Sequence, residues 1–152
     1  MPESRYEKYV CRKPEFLEHA YRDYLANTQT MPPHIYSNGD HPIKGANQFV
    51  EVKWVWAPNV LGGEPGESHF HTFDEMFIWL GTNIEDPYDL GGEVELWLGD
   101  EGKDRDKVTF TTSTLIFVPR GLRHLPMVYK RVDRPIIHLA IGINSGEHKM
   151  LQ

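Results

Sequence analysis

The segment Gly63-Glu64-Pro65-Gly66-Glu67-Ser68-His69-Phe70-His71-Thr72-Phe73-Asp74-Glu75 sets two histidines two apart and follows the second, four residues on, with a carboxylate. On a β-strand the side chains at i and i+2 share a face, so His69 and His71 can aim at one point, and a turn can bring Glu75 back on the next strand. Neutral imidazoles with one carboxylate suit divalent Zn, Ni, Fe or Mn; they suit Ca poorly, because Ca takes oxygen ligands throughout. Farther along, Pro119-Arg120-Gly121-Leu122-Arg123-His124 reads as a strand end, a tight turn and a histidine that points back inward. Pro119 terminates the run Leu115 to Val118, Gly121 supplies the positive φ of a tight turn, and His124 offers a fourth ligand. A His-x-His pair alone is weak evidence; joined to Glu75 and the later turn in a β-rich chain, it predicts a site for one divalent metal.

These two segments resemble the motifs of the cupin superfamily. The family's first motif runs Gly, five residues, His-x-His, three or four residues, Glu, six residues, Gly. Gly63, His69, His71 and Glu75 match it, while Gly81 comes one residue early. The second motif runs Gly, five residues, Pro-x-Gly-x-x-His, three residues, Asn. Pro119, Gly121 and His124 match, Ser113 stands in place of the first Gly and Val128 in place of the final Asn. The resemblance spans residues 63 to 128 and, with flanking strands, about 46–146. It implies an all-β fold, the cupin-type double-stranded β-helix or jelly-roll barrel, with metal ligands His69, His71, Glu75 and His124.

The elements that must position these ligands follow from local pattern. From Gln48 onward, short β-branched and aromatic runs alternate with Gly, Pro, Asn and Asp, the pattern of a sandwich or barrel. Strands are expected at 48–57, 67–72, 75–80, 93–98, 107–111, 114–118, 125–131 and 135–143. Before them, residues 14–26 open on Pro14 and place Leu17, Tyr21, Tyr24 and Leu25 at helical spacing, which predicts one short amphipathic helix. Asn27 to Ala46 carries Pro32, Pro33, Gly39, Pro42 and Gly45, so an extended arm with turns is expected there. The chain therefore divides into an N-terminal helix and arm, 1–45, and a β-barrel domain, 46–152. Compared with the cupin motifs it resembles, the stretch from Gly81 to Ser113 is long, which implies a loop insertion near 82–92 that covers a pocket or reaches a second subunit.

Other residues frame the site. Phe77 and Trp79 follow Glu75 at strand spacing and should share its inward face, while Asp74 should point the other way. Arg123 and Tyr129 are rim groups for an anionic substrate, although arginines in an exposed turn serve solubility equally well. His138 alternates with Ile136 and Ala140; it is either a substrate contact in the barrel or a hydrogen-bonded core histidine. His19, His34, His41 and His148 read as surface residues. In the first long strand, Val50, Val52, Trp54 and Trp56 are expected to pack in the core or at a subunit contact, leaving Glu51 and Lys53 as a solvated face.

The whole chain narrows the function classes. Its 152 residues suit one domain, and 39% hydrophobic content with 12% aromatic residues argues against global disorder. Net charge is −6 with Lys and Arg scattered, which argues against a nucleic-acid partner. Cys11 stands alone, so neither an internal disulfide nor a Cys-based zinc site can form within the chain. With no apolar leader core and no membrane-length apolar window, a soluble cytoplasmic protein without membrane contact is expected. The favoured function is a metal-dependent enzyme acting on a small oxygenated molecule, with Glu75 doubling as catalytic base; the resemblance to cupins implies a dioxygenase, isomerase or decarboxylase type. The alternative is a non-catalytic module that binds a metal or small ligand. A homodimer is expected, because a barrel of this kind has an open edge that the aromatic first strand and the N-terminal arm can cover.

Overall fold

The computed structural model describes residues 4–12, 35–62, 67–145 and 151. The helix expected over 14–26, together with His19, His34, Gly63 and His148, lies outside the described residues. Near the N-terminus the described chain makes a single 3-10 turn, Glu7–Tyr9. Among the described residues no helix is long and apolar enough to cross a membrane.

The described strands form two antiparallel sheets. The first joins β1 (Ile35–Gly39), β2 (Gln48–Val55), β9 (Ile136–Ile143), β4 (Glu75–Leu80) and β7 (Thr114–Val118), in the order β1-β2-β9-β4-β7. The second joins β3 (Asn59–Leu61), β8 (His124–Val132), β5 (Asp89–Leu98) and β6 (Asp106–Thr112), in the order β3-β8-β5-β6. β4 and β7 occupy the spans their apolar runs predicted. The stretch read as an irregular arm contains β1, which pairs with β2 from Ile35↔Val52 to Gly39↔Gln48. The strand expected at 67–72 is reduced to isolated bridges, His69↔His124 and Phe70↔Leu151.

Alternation packs the interior. Glu75, Phe77 and Trp79 from β4 face Val94, Leu96, Phe110, Met127 and Tyr129 from the opposite sheet, all buried. Each such apolar side chain contributes roughly 1.5–3 kcal/mol when removed from water. Trp79 sits at the centre, fully buried, its indole N–H donating to the Tyr129 hydroxyl at 3.1 Å.

The first long strand is turned over relative to expectation. Phe49, Glu51, Lys53 and Val55 face inward, whereas Trp54 and Trp56 are 38% and 45% exposed. Alternation gives the period of a strand but not its phase. Here the phase is set by pairing with β9, where Lys53 lies opposite His138 and Val55 opposite Ile136, both buried. The two charges tolerate burial because they neutralise each other, Lys53 Nζ lying 2.8 Å from Glu51 Oε1.

The loop after Gly81 leaves β4 from the end opposite to Glu75. It is held by Ser113, whose hydroxyl accepts the Gly81 N–H at 3.0 Å and donates to the Pro87 carbonyl at 2.7 Å. Gly81 permits no side chain, since a Cβ there would fall 1.9 Å from the Asp89 carbonyl oxygen.

Candidate metal centre

Three imidazoles meet where the two sheets close at one end. His69 and His124 form a backbone pair, with N–H to carbonyl distances of 3.2 and 2.9 Å in the two directions. His71, two residues on, shares the inward face. The potential ligand atoms of His69, His71 and His124 all lie within 4.8 Å of one another, and all three residues are buried. Glu75, at the start of β4, enters from the other sheet: its Oε2 is 3.4 Å from His71 Nε2 and 3.5 Å from His124 Nε2.

These distances are informative. A charge-assisted hydrogen bond would be about 2.7–2.9 Å long. Two donors each about 2.1 Å from a shared ion, at angles between octahedral and tetrahedral, stand roughly 3.0–3.4 Å apart. Glu75 Oε2 is buried and, among the described residues, has no partner closer than the 3.4 Å approach of His71 Nε2. A buried carboxylate oxygen left in that state fits a cation better than it fits an apolar core.

The backbone prepares the imidazoles. His69 Nδ1 lies 2.8 Å from the Glu67 carbonyl and His124 Nδ1 lies 3.2 Å from the Leu122 carbonyl. A carbonyl can only accept, so each Nδ1 carries the proton and each Nε2 keeps its lone pair, the arrangement metal-bound histidines adopt. Burial lowers the His69 pKa to about 4, with the neighbouring His71 and Arg123 adding to the effect, so this ring is neutral at ordinary pH. Burial also raises the Glu75 pKa, while the adjacent His71 pulls it back in part. The residues present therefore fit a divalent ion of the type that takes nitrogen with one oxygen.

Turns on either side lock the ligands in place. Gly121, at φ 79°, donates its N–H to the His71 carbonyl at 2.9 Å. Asp74 accepts the backbone N–H of Arg120 at 2.9 Å and its guanidinium at 3.3 Å, tying the turn before Glu75 to the turn before His124. That Arg120 contact holds the Asp74 carboxyl below its usual range. Phe73 stacks on His71 with ring centroids 4.6 Å apart.

The remaining expected pocket residues are spread through the barrel. Phe77 lies 5.5 Å from the His124 ring and Trp79 4.9 Å from the His138 ring, both on the inward face with Glu75. His138 is buried in that interior, beyond Phe77. Tyr129 lies deep in the core rather than at a rim, its hydroxyl donating to Met127 Sδ at 3.2 Å. Arg123 donates to Asp100 Oδ1 at 3.1 Å and to the Ser68 carbonyl at 2.5 Å, close enough for its charge to act on His69. The sequence reading missed the buried Glu51 and Lys53 and the Asp74 to Arg120 tie. A charged pair at strand spacing within an apolar run was the visible signal for the first, and nothing local signalled the second.

No protein-family model matches the chain, and no curated protein matches it. Among solved structures, hydroxypropylphosphonic acid epoxidase from S. wedmorenis is similar at TM-score 0.45 and 15% identity, over 72% of this chain and 50% of that one. A deletion mutant of Bacillus subtilis oxalate decarboxylase is similar at TM-score 0.53 and 12% identity, over 78% of this chain and 27% of that one. A single-site variant of the same decarboxylase gives TM-score 0.52 and 13% identity, over 76% and 26%. The chain thus spans about half the length of the epoxidase and about a quarter of the decarboxylase. At these identities the decarboxylase likeness shows the fold, and that fold is the cupin-type jelly roll.

Proposed function

We propose that the chain holds one divalent transition metal through His69, His71, Glu75 and His124 and acts as a metal-dependent enzyme on a small oxygenated molecule. The observation that carries the reading is the meeting of three buried imidazoles, ligand atoms within 4.8 Å, with a buried carboxylate oxygen 3.4 and 3.5 Å from two of them. Fe, Mn, Ni and Zn all suit such a donor set. A metal bound there would supply Lewis acidity or redox chemistry at open coordination positions.

The chain's own residues do the rest. The Glu67 and Leu122 carbonyls fix the tautomers and aim of His69 and His124. Phe73, Phe77 and Trp79 keep the surroundings apolar, which strengthens every electrostatic interaction inside. Glu75, whose pKa burial raises, can accept a proton from a bound hydroxyl and release it again.

The test is elemental analysis of protein purified without added metal. About one divalent ion per chain is expected, and His71→Ala and His124→Ala should each remove most of it. Equal metal content in the wild type and both variants would refute the assignment. Turnover is then sought with the metal-loaded protein on small sugars, keto acids and diketones, with and without dioxygen.

A further inference from the structure

The outer face of the first sheet is apolar across four strands. Side chains alternate along β4, so the residues between the inward Glu75, Phe77 and Trp79 point outward, and the ladder registers carry that parity to β9, β2 and β7. Val50, Ile141, Met76 and Phe117 form one row from β2 to β7. Val52, Leu139, Ile78 and Leu115 form the next, and Trp54, Ile137 and Leu80 a third, with exposed Trp56 two residues on. No charged or polar side chain interrupts these rows. The second sheet turns the ordinary wet face outward: Lys107 Nζ lies 2.8 Å from Glu95 Oε1, and Lys130 Nζ 3.0 Å from Glu93 Oε1.

The apolar face stays open to water. Leu115, Phe117 and Leu80 are 55%, 54% and 43% exposed, beside the exposed Trp54 and Trp56. With the half-buried members of the rows, the open apolar area is on the order of 800 Å². That exceeds the roughly 300–600 Å² of the largest patch on a typical monomer and is close to what each partner gives to a standard interface. Exposure is greatest on β7, the edge strand farthest from β1, whereas the N-terminal segment is fastened at β1, with Cys11 Sγ 3.6 Å from the Tyr36 carbonyl. A single helix is about 10 Å wide, and the outer two of four adjacent strands stand about 14 Å apart, so another sheet matches this face better than one helix does.

The chemistry of the face selects a second copy of this chain. About a two-fold axis a patch meets itself, so a charged patch repels its copy and an uncharged one does not. At one end of the face Met76, Phe117 and Ile143 border a cavity of about 470 Å³ that Asp74 and Arg120 also line, which gives the apolar centre a recess and a polar rim. We infer that this face is the interface of a homodimer, in which the β2-β9-β4-β7 faces of two copies pack across a two-fold axis. The contact is by sheet face rather than by sheet edge, the arrangement of two sheets in a sandwich. It is independent of the metal-holding reading.

Sedimentation velocity of the full chain, from about 0.5 to about 50 µM, tests this. Wild type should sediment as a dimer at the upper concentration. Leu115→Lys and Phe117→Lys, both at positions more than half exposed, should each weaken association at least about tenfold. Val60→Lys is the control: Val60 is exposed on the outer face of the second sheet, in the row of Val128 and Glu95, and its substitution should leave association within about twofold of wild type. Should a lysine variant lose its fold by circular dichroism, Leu115→Ser and Phe117→Ser are read in its place, since they remove apolar area without adding charge. A wild type that stays monomeric at the upper concentration, leaving the face to residues 13–34 of the same chain or to another partner, overturns the proposal. So does a dimer that survives the substitutions on β7, or one that Val60→Lys weakens equally.

Discussion

His69 is neutral because water cannot reach it, and that gives the metal-free protein a pH dependence. Its folded pKa, about 4, lies below the 6.5 of an imidazole in water. The unfolded chain therefore binds a proton that the folded chain refuses. The stabilisation is complete above pH 6.5, is lost as pH falls from there toward about 4, and is gone below. Across that window metal-free wild type should lose on the order of 3 kcal/mol more stability than His69→Gln. Denaturant titrations at matched pH check this, and parallel curves for the two proteins would refute it. Burial moves Glu75 the other way, raising its pKa, so this residue favours the folded state at low pH and partly offsets the histidine. Glu75→Gln keeps the shape and one oxygen donor but loses the charge and the ability to take a proton. It should retain partial metal occupancy and show no turnover, and a variant with full metal and full activity would exclude Glu75 as both ligand and base.

At the scale of elements, two turns aim four ligands. Gly121 adopts φ 79° and its N–H holds the His71 carbonyl, so one residue sets the relative position of His71 and His124. A Cβ at Gly121 would meet nothing within 4 Å, so the cost of Gly121→Ala is backbone strain alone. That substitution should destabilise the fold by about 1–2 kcal/mol and weaken metal retention together. Chemical unfolding with metal analysis on the same preparation checks it; unchanged metal affinity would show that the turn does not position the ligands. The Asp74 to Arg120 contacts link the same two turns from outside, at a site open enough to solvent that geometry, more than energy, is their contribution.

At the scale of the molecule, the ligands bridge the two sheets: Glu75 belongs to one and His124 to the other. An ion held between them binds the folded chain and not the unfolded one. At a free metal concentration a hundred times its Kd, it should add about 2.7 kcal/mol, a rise of roughly 6–10 °C in Tm for a chain of this size. Thermal melts with zinc and with excess chelator should show that difference in wild type and none in His71→Ala. A shift equal in both proteins would place the binding elsewhere.

The sequence by itself determined the spacing that brings His69, His71 and Glu75 near one point, the turn that returns His124, and the strands β4 and β7, because each depends on interactions within a few residues. It determined the all-β class for the same reason. The tertiary structure decided the phase of β2: a strand of alternating character can present either face to the core, and only pairing with β9 turned Glu51 and Lys53 inward and Trp54 and Trp56 outward. It decided that β1 joins the first sheet, since Ile35 to Gly39 has no strand pattern of its own and is held by ladder bonds to β2. It placed Tyr129 in the core and turned Arg123 to Asp100, choices made by partners 50 and 23 residues away in the chain. Local chemistry named the ligands, and long-range packing chose what surrounds them.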